Sequence, residues 1–169
     1  MTVHGDDFTS TGTEENLRWL HSKLAEAYEL KTKYLGPDAS RGHVPEMRVL
    51  NRVISWAEDG TTYEPDQRHA ELIVADLGLD EAKGVSTPGS RDDVAKCAEA
   101  NEVEPEELPS GEATRYRAIC ARLNYLALDR PELQYAAKEA SRRMSKPKRG
   151  DWLLLKRVGR FLRKAPRAV

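Results

Sequence analysis

Apolar positions change spacing several times along these 169 residues, and the changes divide the chain into elements. Met1 to His4 is short and β-compatible. Gly5-Asp6 is a dipeptide that closes two-residue hairpins, because glycine accepts positive φ, and Phe8 to Thr11 reads as the return strand. From Thr13 the period becomes helical. Leu17, Leu20, Leu24 and Tyr28 share a face, and Thr11 with Glu14 has capping-box spacing, so a helix is predicted over about 13–30. Arg48 to Trp56 is β-rich, Glu58-Asp59-Gly60 is a turn, and Thr61 to Glu64 completes a second hairpin. Asp66 can cap a helix carrying Ala70, Ile73, Val74 and Leu77, which Gly78 stops.

The middle of the chain is different. Residues 88–110 are polar, acidic and broken by Pro and Gly, the composition of a linker, although 92–99 could form a short helix. Three helical stretches follow. Arg115 to Leu128 is amphipathic, a second begins near Asp129-Arg130-Pro131 and runs to about Met144, and Trp152 to Lys164 can be capped by Asp151. Tyr116, Tyr125, Tyr135, Trp152 and Phe161 fit core positions of these helices. The expected class is α+β: N-terminal hairpins and helices over 1–87, an acidic linker over 88–112, and a basic, mostly helical part over 113–169. A hairpin at the very start lacks sheet neighbours, so weak packing is expected there.

Composition adds a charge pattern. Charged residues make up 33% of the chain, above the usual quarter, yet the net charge is only −1. Asn101 to Glu112 carries acids and no base, whereas Ser141 to Val169 carries Asp151 as its one acid among many Lys and Arg, which suggests a basic working surface. On the last helix Lys156, Arg157, Arg160, Arg163 and Lys164 cover one broad face. That face is either the solvated side of a packed helix or a contact for a nucleic-acid backbone. The two cysteines have no metal spacing and read as free thiols in a reducing compartment. No apolar run approaches the ~18 residues of a membrane span, and no targeting segment is evident. A soluble intracellular protein, cytoplasmic or nuclear, is expected.

The adjacent acids Asp6 and Asp7 are the clearest candidates for chemistry. Neighbouring strand residues point to opposite faces, so both can serve one ion only if a tight turn redirects them. Carboxylate oxygens suit Mg²⁺, and a two-metal site needs at least one acid more.

Val3-His4-Gly5-Asp6-Asp7-Phe8 resembles the aromatic-x-Asp-Asp box of copia-type long-terminal-repeat retrotransposon reverse transcriptases. Later features keep that family's order. Val49-Leu50-Asn51 resembles its primer-grip Phe-Leu-Gly, and Val85-Ser86-Thr87-Pro88 its Ser-Thr-Pro. Tyr116-Arg117 with Leu123-Asn124-Tyr125-Leu126, then Asp129-Arg130-Pro131-Glu132-Leu133-Gln134-Tyr135-Ala136, resemble its Tyr-Arg, Leu-x-Tyr-Leu and Thr-Arg-Pro-Asp-Ile-x-Tyr-Ala. Trp152 and Lys156-Arg157-Val158 with Arg160-Phe161-Leu162 resemble its His-Trp and Lys-Arg-x-Leu-Arg-Tyr-Leu. The departures are His4 in the aromatic place, Asn51 for Gly and Asp151 for His.

The resemblance implies a late palm, thumb and start of the connection of an RNA-directed DNA polymerase. Asp6 and Asp7 would be its catalytic metal carboxylates and Mg²⁺ its cofactor. Gly5, Leu50 and Asn51 would lie against template-primer, and His4 would be either a primer contact or a surface histidine. The partners implied are an RNA or DNA template-primer and deoxynucleoside triphosphates, with the rest of the polyprotein missing and no membrane. The family's further palm Asp, its fingers and its ribonuclease H domain have no counterpart in the sequence, so the chain alone is expected not to polymerise. A nucleic-acid-binding remnant without catalysis and a helical protein-interaction domain are the alternatives.

Overall fold

A computed structural model describes residues 1–167. The chain divides into two compact units, Met1–Tyr63 and Glu64–Val169, and the fold is α+β.

In the first unit, β1 (Thr2–His4) and β2 (Asp7–Thr9) form an antiparallel hairpin with Val3 opposite Phe8. Gly5 has φ 62°, as expected of glycine in the first central position of a two-residue turn. Helix α1 (Glu14–Ala25) is capped by the Thr13 hydroxyl, which accepts from Asn16 N. It stops earlier than its apolar spacing predicts, and none of its residues is buried; without a partner for that face, little favours continuing the helix. A short parallel pair, β3 (Tyr34–Leu35) with β4 (His43–Val44), follows. Then comes a three-stranded meander: β5 (Glu46–Val49), β6 (Arg52–Ala57) and β7 (Gly60–Glu64). Here the expected single strand over 48–56 is broken. Val49 pairs with Arg52, and Leu50-Asn51 form a two-residue turn with φ 48° and 66°. Asparagine tolerates the left-handed region and leucine does not. Residue type marks this turn only weakly, because Leu50 is not a turn former and Asn51 is its one turn-favouring residue. No side chain of residues 1–63 is buried.

The second unit holds the core. Helix α2 (Arg68–Leu77) starts beside Asp66, whose carboxylate accepts from Arg68 N at 3.0 Å. It ends at Gly78 (φ 66°), where Leu79 N donates to Val74 O, the bond of a Schellman C-cap. Helix α3 (Arg91–Val103) occupies most of the expected linker. Ser90 caps it by accepting from Asp93 N and donating to Asp93 Oδ2, and Asp92 and Asp93 suit the positive helix start. Helices α4 (Ser110–Leu126), α5 (Gln134–Ser141) and α6 (Trp152–Lys164) complete the bundle, with 3-10 turns at Pro131–Leu133 and Arg149–Asp151.

Ile73, Ile119, Leu123, Leu133, Leu155, Val158 and Leu162 are fully shielded. Each such side chain contributes about 1.5–3 kcal/mol of apolar burial. Two glycines set the closest approaches. A Cβ on Gly159 would meet Leu77 and Leu79 at 2.8 and 2.7 Å, so α6 crosses the end of α2 there. A Cβ on Gly150 would meet Cys97 O and Ala100 Cβ at 2.9 Å, which seats α3 on the turn before α6. Tyr125 and Tyr135, expected in the core, are exposed, whereas Tyr116 and Phe161 are buried and Trp152 is half-buried.

Candidate functional site

The two acids of the N-terminal box sit at the tip of the β1–β2 hairpin. Asp6 lies in the turn and Asp7 pairs across it with His4. His4, Gly5, Asp6 and Asp7 are all exposed. Among the described residues no group of three His, Cys, Asp or Glu is placed to hold a metal ion. The donors have the right chemistry for Mg²⁺, which accepts one or two carboxylates and takes further oxygens from phosphates and water. Two carboxylates on a solvated turn are an incomplete ligand set for such an ion. Leu50 and Asn51 occupy another tip, the β5–β6 turn.

The basic face of α6 has a structural occupation that spacing could not show. Arg157 donates from Nε to Thr87 O at 3.0 Å and from Nη2 to Thr87 Oγ1 at 2.7 Å, and also lies 3.9 Å from Asp93. Arg160 Nε donates to Lys83 O at 2.8 Å, and Arg163 Nε to Asp80 O. Lys164 packs over Gly84. Three guanidinium groups thus hold the 80–87 connection against the helix. Charge-assisted bonds of this kind are stronger than neutral ones, and a phosphate would have to compete with them. Lys156 projects into solvent.

The motif residues of the helical half are likewise structural. Tyr116 is buried, donates to Ala140 O at 2.9 Å and meets Trp152 edge-on, and burial pushes its hydroxyl pKa well up. Arg117 donates to Met144 O and Ser145 O. Arg130 is almost wholly buried. It binds Glu132, donates to Ala165 O at the end of α6 and lies over the Phe161 ring. Asp151 was expected to cap α6 but turns inward. Its buried carboxylate accepts from Lys148 N at 2.7 Å, Asn101 Nδ2 at 2.8 Å and Cys97 Sγ at 3.2 Å, while Asn101 Oδ1 accepts from Gly150 N at 2.9 Å. Burial, then Asp151, pushes the Cys97 thiol up to about 12, and burial does the same for Cys120.

Beside this network lies a cavity of about 310 Å³, lined by Arg142, Arg143, Lys146 and Lys148 together with Asn101 and Asp151. The basic run after Ser141 was visible in the sequence. That it closes around a concavity depended on α3 packing where a linker was expected.

The chain therefore has an α+β fold whose helical unit is held together by the side chains of Tyr116, Arg117, Arg130 and Asp151. It is 29% identical, over an alignment of 172 positions covering 98% of its length, to a retrovirus-related Pol polyprotein from transposon RE2 of Arabidopsis thaliana. It is 31% identical over 96 residues, 57% of its length, to an uncharacterized mitochondrial protein of the same plant. The chain spans 10% of the first relative and 37% of the second. No family model and no solved structure matches it. The chain is thus similar along nearly its whole length to a retrotransposon-related Pol polyprotein. Among the described residues no helix is long and apolar enough to cross a membrane.

Proposed function

We propose that this chain corresponds to part of the RNA-directed DNA polymerase of a copia-type element: late palm, thumb and the start of the connection. The observation that carries the reading is collinearity. Similarity to a Pol polyprotein extends over 98% of the chain, and the Asp-Asp turn, the Leu50-Asn51 turn and the Tyr-Arg and Arg-Pro motifs occur in the family's order. In the assembled polymerase Asp6 and Asp7 would supply carboxylates to Mg²⁺, with a further acid and the nucleotide's phosphates completing the shell. His4, Gly5, Leu50 and Asn51 would approach template-primer from two hairpin tips. The lysines of α6, Lys156 and Lys164, together with the unused guanidinium donors of Arg157, Arg160 and Arg163, would face its phosphates.

The isolated chain is expected to bind nucleic acid without extending it. Two measurements test this. Primer extension with Mg²⁺ and deoxynucleoside triphosphates should give no product, and a signal abolished by Asp6→Asn would show that the chain is sufficient for catalysis. Filter binding of a labelled RNA–DNA hybrid should weaken steeply with salt, by about 0.9 in log–log slope for each phosphate contacted on DNA. Salt-tolerant binding to protein, with no hybrid binding, would favour the interaction-domain alternative.

A further inference from the structure

We infer that the cavity between α3 and the segment joining α5 to α6 binds a phosphate group, held by Arg143 and Lys148 with help from Arg142 and Lys146. The site is distinct from the Asp6-Asp7 turn and from the stripe along α6. As the place where nucleic acid would be gripped it rests on the polymerase reading; as a phosphate site it stands on its own geometry.

Charge supports it first. Four cations line the cavity against two acids, Glu102 and Asp151. Asp151 is spoken for: both its oxygens accept hydrogen bonds within the fold from Lys148 N, Asn101 and Cys97. Arg142 and Lys146 each have one long ion pair, 3.4 Å to Glu139 and 3.4 Å to Glu107, with largely exposed basic partners. The Lys146–Glu107 pair is exposed on both sides and contributes little, whereas Glu139 is buried and keeps Lys138 at 3.4 Å as a second partner when Arg142 turns to an anion. No carboxylate lies within ion-pair distance of Arg143 or Lys148 among the described residues, whereas the arginines of α6 already hold Asp80, Lys83 and Thr87. Arg143 and Lys148 are therefore open to an anion, whereas the arginines of α6 are each engaged with the 80–87 segment.

The rest of the lining selects the ligand. A volume of about 310 Å³ takes a phosphate with its neighbouring sugar. Ala98 is the one apolar residue of the wall, and no aromatic ring lines it on which a base could stack. A site of this composition recognises the charged backbone and not the base. The walls are also fixed. Gly150 admits no Cβ, and the Asp151–Asn101–Cys97 bonds hold α3 against the turn. The phosphate could come from a nucleic-acid backbone or from a free nucleotide or inorganic phosphate.

The experiment uses the full chain. Fluorescence anisotropy with a labelled RNA–DNA hybrid compares it with Arg143→Ala/Lys148→Ala, with Lys83→Ala/Lys96→Ala as an equal charge loss elsewhere, and with the charge-preserving Arg143→Lys/Lys148→Arg. Thermal melts establish that each variant folds. Inorganic phosphate is titrated in parallel while the Arg143 and Lys148 side-chain resonances are followed by NMR. The cavity variant should lose at least about tenfold in affinity and about 1.8 of the salt slope. The remote variant should bind as wild type does, and the charge-preserving one should recover most of the loss. Phosphate-dependent shifts without hybrid binding would keep the site, assign it to free phosphate and remove the template-binding part of the polymerase reading. Equal weakening in the cavity and remote variants would overturn the proposal in favour of net charge. Unaltered hybrid binding by the cavity variant would overturn it while sparing that reading. Absence of both phosphate shifts and hybrid binding would overturn it as well.

Discussion

Replacing Gly150 by alanine tests whether α3 is a docked helix or part of a tether. The added methyl would stand 2.5 Å from Asn101 Oδ1, 2.9 Å from Ala100 Cβ and 2.9 Å from Cys97 O. Two of those atoms are fixed to the backbone of α3 and cannot swing away, so the helix must shift. Overpacking of this kind costs ~1–3 kcal/mol. The shift also lengthens the bond from Gly150 N to Asn101 Oδ1, a further ~1 kcal/mol. The sum, about 2–4 kcal/mol, lowers the Tm of a cooperative unit of about a hundred residues by roughly 10–20 °C. Gly111, near the start of α4, provides the contrast. A Cβ there meets nothing within 4 Å, so Gly111→Ala should be neutral or stabilise by up to about 1 kcal/mol through helix propensity. Circular dichroism melts at 222 nm, supported by calorimetry, read both variants. If residues 88–112 formed a solvated tether, Gly150→Ala would be a surface change within ~0.5 kcal/mol. A melt within about 2 °C of wild type, on the same scale, would refute the docking of α3 and with it the shape of the basic cavity.

Three further outcomes follow from the geometry. Arg167 donates to both oxygens of Glu64 at 2.7 and 2.6 Å, and this bond holds the Glu64 carboxyl below its ordinary 4.5. A depressed carboxyl pKa stabilises the fold above the unfolded value and ceases to do so as pH falls through the folded one. Denaturant titrations should therefore show Glu64→Gln less stable than wild type at pH 6 and converging with it on acidification below 4.5; a constant difference would refute the pairing. Cys97 and Cys120 are both buried, with thiols raised to about 12, so neither should react with a thiol reagent at pH 8 until the chain is denatured; prompt native labelling would contradict the burial of Cys97 behind Asp151. Leu50→Asn with Asn51→Gly removes a leucine from the left-handed region at φ 48° and should slow amide exchange across β5–β6 by about the equivalent of 1 kcal/mol.

Sequence by itself determined the features that depend on neighbours in the chain. The Gly5-Asp6 turn, the stop at Gly78 and the span of α6 from Trp152 to Lys164 follow from local φ preference, capping and apolar period. What it could not determine were matters of partnership. Leu50 looked like strand and is turn, because the pairing of Val49 with Arg52 imposes a conformation its side chain disfavours. Within the expected linker a short helix over 92–99 was legible; that it extends over 91–103 and docks depends on Cys97 and Asn101 finding Asp151 some fifty positions away. The arginines of α6 looked like a free basic stripe and hold the 80–87 segment instead. A charge read along a sequence has no destination until tertiary contacts provide one. Here they occupied the helix face that spacing had singled out and left donors open in a cavity that spacing could not reveal.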